Sequence, residues 1–262
     1  MKKLFVLLLI SILLISCVSC GKEESKEKTD LEYVQDKGVL VVGITDFAPM
    51  DYRDESGKWI GFDADMANLF AESLGVKAEF LEIDWDYKVM TLDSKDIDCV
   101  WNGMTLTEEV KSVMETSNPY SNNSQVVVLK KDIIANVKSA DDLKGLSVVA
   151  EAGSAGAEVL TGLGIEFMSA ETQSAALMEV AAGTSDAAVV DVLMADAMTG
   201  EGTSYTDLSY TLPLNDELYG VGFRKGSDLA VKLNEFFKEK YDDGTMMSLA
   251  EKYGIDASII VQ

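Results

Sequence analysis

Several polar side chains in this 262-residue sequence stand at the ends of short apolar runs. Asp191 follows the apolar run 187–190, where a carboxylate is poorly placed for a hydrophobic core and well placed at the mouth of a cleft. It could bind an ammonium group there, or it could simply cap the next helix. Thr105 precedes a predicted helix that begins at Thr107, and hydroxyl and N–H groups at a helix start favour an anion. These residues indicate recognition of a small charged molecule.

Aromatic side chains accompany the polar groups in neighbouring loops. Phe47 lies after the apolar run 39–44, and Trp85 lies after the run 76–83. A large apolar face excludes water at a low cost in side-chain entropy, which suits the wall of a binding site. Core packing for Phe47 and helix packing for Trp85 are the alternatives. Asp46 stands beside Phe47, where it could meet a polar or cationic group or remain solvated.

The chemistry that this sequence lacks narrows the function. It contains no histidine, which excludes Ser-His-Asp and Cys-His nucleophiles and histidine-based zinc sites. Cys99 lies in an apolar run, as a core-filling residue would. With 45 acidic and 22 basic residues, and a net charge of −23, the protein would repel a phosphate backbone. We therefore expect no catalytic residues, no cofactor, no metal and no nucleic-acid partner.

Strands and helices are predicted to alternate along the chain, as they do in α/β proteins. The run 39–44 is continuous and β-branched, which is typical of a buried parallel strand. A stretch with helical spacing opens at Gly61 and ends at Gly75, and Asp63 is predicted to cap it. This order predicts parallel sheets that bind ligands at the carboxyl ends of their strands. The further predicted strands are 76–83, 97–101, 125–130, 146–150, 187–190 and 219–223, and the further helices are 87–92, one from 107, 139–143, 155–160, 172–182, 192–198, 228–241 and 245–253.

The first thirty residues are predicted to direct export rather than to fold. Lysines precede the apolar stretch 4–15, which has the length of a signal-peptide core and is too short to span a bilayer. Its end resembles the bacterial lipobox. We predict a signal peptide over residues 1–16, lipidation of Cys17 and a flexible tether over residues 17–30. Cys20 is a second candidate for the lipid, and an ordinary cleaved signal is the alternative.

Four groups of motifs occur in the order and spacing of one protein family. Through them the chain from Gly38 to Gly254 resembles the polar amino acid family of substrate-binding proteins that serve ABC transporters. The resemblance implies an α/β fold of two lobes, the type II periplasmic-binding-protein-like fold, with a ligand cleft between the lobes. The motifs are TDFAP at 45–49; GFD at 61–63; IDCVWNGMTLTEE at 97–109 with NPYS at 118–121; and DAAVVD at 186–191 with LYGVGFRKG downstream.

The resemblance also implies how the chain is divided and how it works. Lobe 1 would comprise residues 31–121 and 222–262, and lobe 2 would comprise residues 126–218. The chain would cross between the lobes near residues 122–125 and 217–221. Closure about these hinges would trap a small polar solute, an amino acid or a related amine, for an ABC permease in the membrane. The expected working form is a monomer, lipid-anchored on the extracytoplasmic face, at the cell surface or in the periplasm.

The family's ligand-binding positions correspond to nine residues of this sequence. Phe47 and Trp85 would form aromatic walls around the ligand, and Asp46 would meet a polar or cationic side chain. Thr105 would bind the α-carboxylate, and Asp191 would bind the α-ammonium group. The set is completed by Asn102 and Gly103 of the same loop as Thr105, and by Ser154 and Ala155 of a turn before a helix.

One position departs from the family pattern. An arginine that clamps the α-carboxylate follows the loop threonine in the family, and Val110 occupies its position in this chain. Lys111 is adjacent but should face elsewhere, because a helix turns about 100° per residue. Loss of half of a buried charge pair costs about 2–5 kcal/mol. The ligand could lack an α-carboxylate, another cation such as Arg53 or Lys88 could take over, or binding could be weak.

Two other functions are compatible with the same fold. A lyase resembling cyclohexadienyl dehydratase would need a carboxylic acid of raised pKa in the cleft, and Gly156 occupies the position of that acid. Glu151 and Glu158 lie nearby, but the sequence marks neither as buried. A sensory solute-binding module would share the cleft but not the permease. Neighbouring genes for a permease and an ATPase would separate these functions.

Overall fold

A computed structural model describes residues 28–262, in which two mixed β-sheets are each flanked by helices. The predicted signal peptide, Cys17, Cys20 and most of the predicted tether lie outside this range. Within it, no helix combines the length and the apolar character needed to cross a membrane. The strands are β1 Val39–Ile44, β2 Tyr52–Arg53, β3 Trp59–Ile60, β4 Lys77–Glu82, β5 Cys99–Thr105, β6 Met114–Thr116, β7 Ser121–Asn123, β8 Gln125–Lys130, β9 Val148–Glu151, β10 Met168–Ala170, β11 Ala187–Asp191, β12 Leu208–Pro213 and β13 Glu217–Arg224. The α-helices are α1 Asp30–Lys37, α2 Phe62–Ser73, α3 Lys88–Asp93, α4 Glu108–Val113, α5 Ala155–Leu163, α6 Gln173–Ala182, α7 Val192–Met198, α8 Leu229–Asp242 and α9 Thr245–Tyr253.

The first sheet has the strand order β4-β1-β5-β13-β6, and β7 also pairs with β13. Strands β4, β1 and β5 run parallel, whereas β13 runs antiparallel to its neighbours. The second sheet has the order β10-β9-β11-β8-β12. Its strands β10, β9 and β11 run parallel, whereas β8 runs antiparallel to both of its neighbours, β11 and β12. The prediction of parallel sheets therefore holds for three strands of each sheet. In both, the carboxyl ends of the parallel strands carry the loops that form the cleft.

Helix α2 shows how the sequence positions the site. Phe62, Met66 and Phe70 recur at helical spacing and are buried against the first sheet. Asp63 was predicted to cap this helix, and that prediction is wrong. The N-cap is Gly61, which makes no side-chain cap, and Asp63 lies inside the helix, where its carboxylate accepts the N–H of Gly103 in strand β5. Burial of the phenylalanine beside it fixes that orientation.

Helix α1 corrects the predicted tether. Its first residue, Asp30, lies inside the range 17–30 that was assigned to flexible chain. Thr29 and Glu32 form a capping box, which satisfies backbone donors at the start of the helix. The Asp30 carboxylate also contacts the Arg224 guanidinium at 3.1 Å. The ordered body of the protein therefore begins before the predicted boundary.

The chain passes between the sheets twice. The first passage, between β7 and β8 at Asn123 and Gln125, falls within the predicted range 122–125. The second lies between the end of β12 at Pro213 and the start of β13 at Glu217. It therefore precedes the predicted range 217–221, because Glu217 already pairs with Asn123 of the first sheet.

Candidate functional site

A cavity of about 400 Å³ lies between the two sheets. Among the hydrogen bonds that link its walls, Lys88 Nζ donates to the Gly153 carbonyl at 2.9 Å, and Ser174 Oγ donates to the Asp46 carbonyl at 3.1 Å. The two lobes therefore contact each other across the cleft, which is in a closed arrangement. The lining includes eight predicted site residues: Phe47, Trp85, Asn102, Gly103, Thr105, Ser154, Ala155 and Asp191.

Asp46 is the predicted site residue that is not among those lining the cavity. It lies at the rim, where its backbone carbonyl meets Ser174 of the opposite wall. Burial raises the pKa of its carboxyl group, and the nearby charge of Glu82 adds to the effect. Its place in the structure favours a role in cleft closure over direct contact with a ligand.

The aromatic walls have the positions that the sequence predicts. Phe47 and Trp85 are 2% and 7% exposed, and both line the cavity. Phe47 packs edge-to-face on Tyr219 with ring centroids 6.3 Å apart. The Lys88 ammonium lies 5.0 Å from the centroid of the Trp85 ring. Two aromatic faces therefore border one enclosed space, where they can exclude water and attract a cation.

The amide of Asn102 is fully occupied inside the first lobe. Its Oδ1 accepts hydrogen bonds from the Thr45 backbone N–H at 2.8 Å and from the Thr45 hydroxyl at 2.7 Å. Its Nδ2 donates to Asp51 Oδ2 at 2.8 Å and to the Thr45 carbonyl at 3.1 Å. An amide has two donors and two acceptor lone pairs, so no hydrogen-bonding capacity remains for a ligand. The side chain of Asn102 thus holds the loop in place.

Gly103 is required by the geometry of the same loop. Its φ is +54°, and a Cβ there would lie 2.4 Å from Phe47 Cε1. Its N–H donates to Asp63 Oδ2 at 2.7 Å, and the Tyr120 hydroxyl donates to the same oxygen at 2.7 Å. The absence of a side chain therefore lets Phe47 reach the cavity wall.

Two buried carboxyl groups, Asp51 and Asp63, lie behind this loop and do not line the cavity. Burial raises the pKa of Asp63 to about 7, although the bonds from Gly103 and Tyr120 oppose that shift. Burial and the charge of Asp63 raise the pKa of Asp51. Each keeps one oxygen without a partner, which is consistent with protonation within this pair.

The Thr105 hydroxyl donates to the carboxylate of Glu217 at the start of β13. In this closed arrangement it is therefore engaged within the protein. Burial raises the pKa of Glu217 to about 7, and the nearby charge of Asp191 adds to the rise. Thr107 caps α4, since its Oγ1 accepts the Val110 N–H at 3.2 Å.

Asp191 accepts an unusual number of hydrogen bonds for a cleft residue. Oδ1 accepts from Asn123 Nδ2, from Gln125 Nε2 at 2.8 Å and from the Tyr219 hydroxyl at 2.7 Å. Oδ2 accepts from Gln173 Nε2, which leaves one lone pair on that oxygen. The carboxylate makes no capping bond to α7, so simple helix capping does not explain it. Burial raises the pKa of Asp191 above its usual value, although these four donors oppose the rise.

Glu151 is a cleft residue that the sequence analysis did not select. It ends strand β9, lines the cavity and is only 3% exposed, and its Oε1 has no hydrogen-bond partner. Burial raises its pKa to about 8, and the charge of Asp191 adds to the rise. The signal was present in the sequence, because VVAE at 148–151 ends an apolar strand in a carboxylate as AAVVD at 187–191 does.

The turn after β9 delivers the start of α5 to the cavity. Ser154 caps that helix, because its Oγ accepts the Ala157 N–H at 3.2 Å. Gly153 has a φ of +66°, and a Cβ there would lie 2.8 Å from the Cα of Asp86 in the other lobe. A glycine at this point therefore permits the close approach of the two walls.

Only one of the cations considered as a substitute for the family arginine reaches the cavity. Val110 is 8% exposed and packs in a cluster with Trp85. Lys111 faces away and pairs with Glu108 at 3.1 Å. The Arg53 guanidinium lies 4.1 Å from the Trp59 ring centroid and is not in the lining. Lys88 lines the cavity, but burial lowers its pKa and its ammonium donates to two carbonyls.

Comparison with known proteins places this arrangement in a family. The sequence model of the bacterial extracellular solute-binding proteins, family 3, matches residues 40–256. The chain is 31% identical to the L-cystine-binding protein of Escherichia coli K12 over 238 residues, which cover 87% of each chain. It is 32% identical to the ABC transporter glutamine-binding protein of Bacillus subtilis over 270 residues, which cover 97% of each.

Solved structures show the same fold. A mutant of ArgBP from T. maritima superposes with a TM-score of 0.80 at 33% identity, covering 86% of this chain and 98% of its own. A substrate-binding protein of an ABC uptake transporter from Streptococcus pneumoniae, with bound histidine, gives 0.80 at 29% identity over 88% and 98%. An ancestral amino acid-binding protein, a precursor of cyclohexadienyl dehydratase, gives 0.78 at 31% identity over 85% and 98%.

Proposed function

This chain belongs to the bacterial extracellular solute-binding proteins of family 3, and we propose that it captures an amino acid or a related amine for an ABC importer. The observation that carries the proposal is the closed cavity of about 400 Å³, bordered by aromatic faces and buried carboxyl groups. A space of this size suits one small solute. The relatives named above are binding proteins rather than enzymes, and this chain is likewise a binding protein.

The proposed mechanism is closure of two lobes about the paired crossings. Lobe 1 comprises the first sheet and its helices, and lobe 2 comprises the second sheet. A solute would bind one wall first, and closure would then add the contacts between Lys88 and Gly153 and between Ser174 and Asp46. Ligand therefore shifts the population toward the closed form, which the permease recognises. Small-angle X-ray scattering should show a smaller radius of gyration with saturating ligand, and an unchanged radius would contradict closure.

The proposed contacts divide between the walls. Phe47 and Trp85 enclose the body of the ligand from the first lobe. Asp191 binds an ammonium group through the free lone pair on Oδ2. Thr105 joins them only if it exchanges its bond to Glu217 for one to the ligand. Ser154 and Ala155 would contribute the start of α5, and Asn102 and Gly103 would shape the loop.

A panel of ligands tests the binding function directly. The purified protein would be unfolded by heat in the presence of the common amino acids and simple amines, with sugars as a negative set. A ligand at about 100 times its Kd should add roughly 2.7 kcal/mol of stability. A shift with members of the amino acid and amine sets supports the proposal. A shift with sugars alone, or with nothing, contradicts it.

We also propose that the protein works as an exported, lipid-anchored monomer with Cys17 as the anchor. The support is the apolar stretch 4–15 with its lipobox-like end, together with the extracellular family. Metabolic labelling with a fatty acid should mark the wild type and the Cys20→Ala variant. The Cys17→Ala variant should lose the label and leave the membrane fraction. The opposite pattern would move the anchor to Cys20.

A further inference from the structure

The cavity is strongly acidic. Among the described residues that line it, five carry carboxyl groups and a single one carries an ammonium group. Glu151 and Asp191 are buried in the cavity, whereas the other acidic residues lie exposed at its edge, and together they favour the entry of a cation. The carboxyl groups belong to Asp86, Glu109, Glu151, Glu158 and Asp191, and the ammonium group belongs to Lys88.

Glu151 is the buried acidic residue of the described cavity lining that has an unpartnered oxygen. Glu151 is only 3% exposed, and its Oε1 has no hydrogen-bond partner in the described part of the protein. A buried acceptor without a partner destabilises a protein, and a ligand that supplies the missing donor removes that cost. Gln173 lies between this residue and Asp191, with Nε2 bonded to Asp191 Oδ2. Two carboxyl groups on adjacent strands thus line the same space, and each has acceptor capacity that no donor of the described residues fills.

The groups that could hold a carboxylate of the ligand are already engaged or absent. Lys88 donates to the Trp85 carbonyl at 3.1 Å and to the Gly153 carbonyl at 2.9 Å. The Thr105 hydroxyl is bonded to Glu217, and the Gly103 N–H is bonded to Asp63. Val110 presents an apolar surface to the cavity. None of these groups offers a free donor to a ligand carboxylate.

The start of α5 is a weakened anion site because acidic side chains flank it. A helix start attracts anions through its free N–H groups and its dipole. Here Glu151 precedes the helix, and Glu158 lies in its first turn. Both acidic groups favour a cation at this end of the cavity.

We propose that the cleft selects an organic cation without a carboxylate, an amine or a guanidine, and holds its positive group between Glu151 and Asp191. The inference rests on the proposed function and narrows its ligand class. The aromatic faces of Phe47 and Trp85 complete the site, because aromatic rings attract cations when both are shielded from water. A zwitterionic amino acid of the same skeleton is the disfavoured ligand.

Matched pairs of ligands test the inference by titration calorimetry. Each pair holds an amino acid and its decarboxylated form: arginine and agmatine, lysine and cadaverine, ornithine and putrescine, histidine and histamine. The decarboxylated member of at least one pair should bind at least tenfold more tightly than its parent. If parents bind more tightly throughout, or neutral amino acids alone bind, the inference fails and the proposed function stands. If nothing in the panel binds, both fail.

Variants assign the selectivity to Glu151. Glu151→Gln keeps the shape of the side chain, and it should weaken binding of the preferred amine by about 10–100-fold while changing the parent amino acid much less. Glu166→Gln removes the same charge from an exposed position of the second lobe and should change neither ligand. The ratio of the two affinities within one variant is independent of the fraction that folds. An unchanged ratio in Glu151→Gln overturns the assignment.

Discussion

Both walls of the cleft contain buried carboxyl groups, but these groups have different access to the cavity. In the first lobe, Asp51 and Asp63 lie behind the end of β5, and their hydrogen bonds fix Asn102 and Gly103 of that strand. In the second lobe, Glu151 and Asp191 line the cavity itself. The unpartnered oxygens of Asp51 and Asp63 belong to residues outside the cavity lining, whereas the unpartnered oxygen of Glu151 belongs to a residue that lines the cavity. The buried carboxyl groups of the first wall therefore fix its backbone, whereas those of the second wall border the ligand space.

The largest expected effect tests the structural role of the first wall. Asp63→Ala should lower the free energy of unfolding by about 2–5 kcal/mol, because the Gly103 N–H and the Tyr120 hydroxyl would lose their buried acceptor. Urea unfolding would measure the loss. Glu72→Ala, an exposed change on the same helix, should cost less than about 0.5 kcal/mol. Equal stabilities of the two variants would contradict the structural role of Asp63.

The stability that Glu151 of the second wall contributes should fall as pH rises, whereas the stability contributed by a salt-bridged acid falls as pH drops. Burial raises the pKa of Glu151 from 4.5 to about 8, so the folded state favours its protonated form. Its contribution to the stability of the unliganded protein is complete below pH 4.5 and is lost as pH rises toward 8. Glu151→Gln should therefore be the more stable protein at pH 8, by on the order of 4 kcal/mol at 1.36 kcal/mol per pKa unit.

Unfolding curves between pH 4.5 and 8 would measure this difference. The groups that act on Glu151 are Asp191, Lys88, Gln173 and Asp84, and all are retained in the variant. Asp63 and Glu217, whose pKa values are each raised to about 7, contribute equally to both proteins and cancel in the comparison. Curves that run parallel over the whole range would show that Glu151 titrates normally.

A cation added to the apolar part of the cavity should reverse the selectivity. Val110→Arg would place a guanidinium beside Trp85, and it should tighten binding of α-amino acids by about tenfold, or ~1.4 kcal/mol. Ser112→Arg adds the same charge to the exposed side of the same helix and serves as the control. Calorimetry with the matched pairs measures both. Equal or weaker affinity for amino acids in Val110→Arg would refute the expectation.

The smallest expected effect concerns Lys88, the basic residue among the described residues that line the cavity. Lys88→Met removes a positive charge near Glu151 and should tighten amines by about threefold, or ~0.6 kcal/mol. Lys77→Met, an exposed change on β4, should leave the affinity unchanged. If instead Lys88 holds a ligand carboxylate, its replacement would weaken amino acids about tenfold. Titration of one matched pair separates these outcomes.

The sequence predicts the regular elements where local patterns determine them. The strand 125–130 and the helices 192–198 and 245–253 have the bounds that periodicity and glycine stops indicate. The antiparallel course of β13 was not predictable, because strand direction depends on pairing between distant segments. Short strands such as β6 and β10 carry too few residues for a periodic signal.

The candidate site shows the same limit. Position in the chain is enough to bring Phe47, Trp85 and Asp191 to one cavity, since loops after parallel strands meet at one edge. Position in the chain does not show that every hydrogen-bonding group of the Asn102 amide is occupied within its own lobe, or that the Thr105 hydroxyl donates to Glu217. Those bonds join residues far apart in sequence. The burial of Glu151 could not be predicted from its position in the chain, because that burial depends on how the lobes close.

The protonated state of Glu151 has a consequence for the next step of uptake. A carboxyl group with a pKa of about 8 is mostly neutral at pH 7. If a monovalent amine ionises it on binding, one proton leaves as one cation arrives, and the net charge of the protein is the same empty and loaded. Electrostatic attraction could not then report cargo to the membrane complex. The importer would have to sense loading through the relative placement of the two lobes alone.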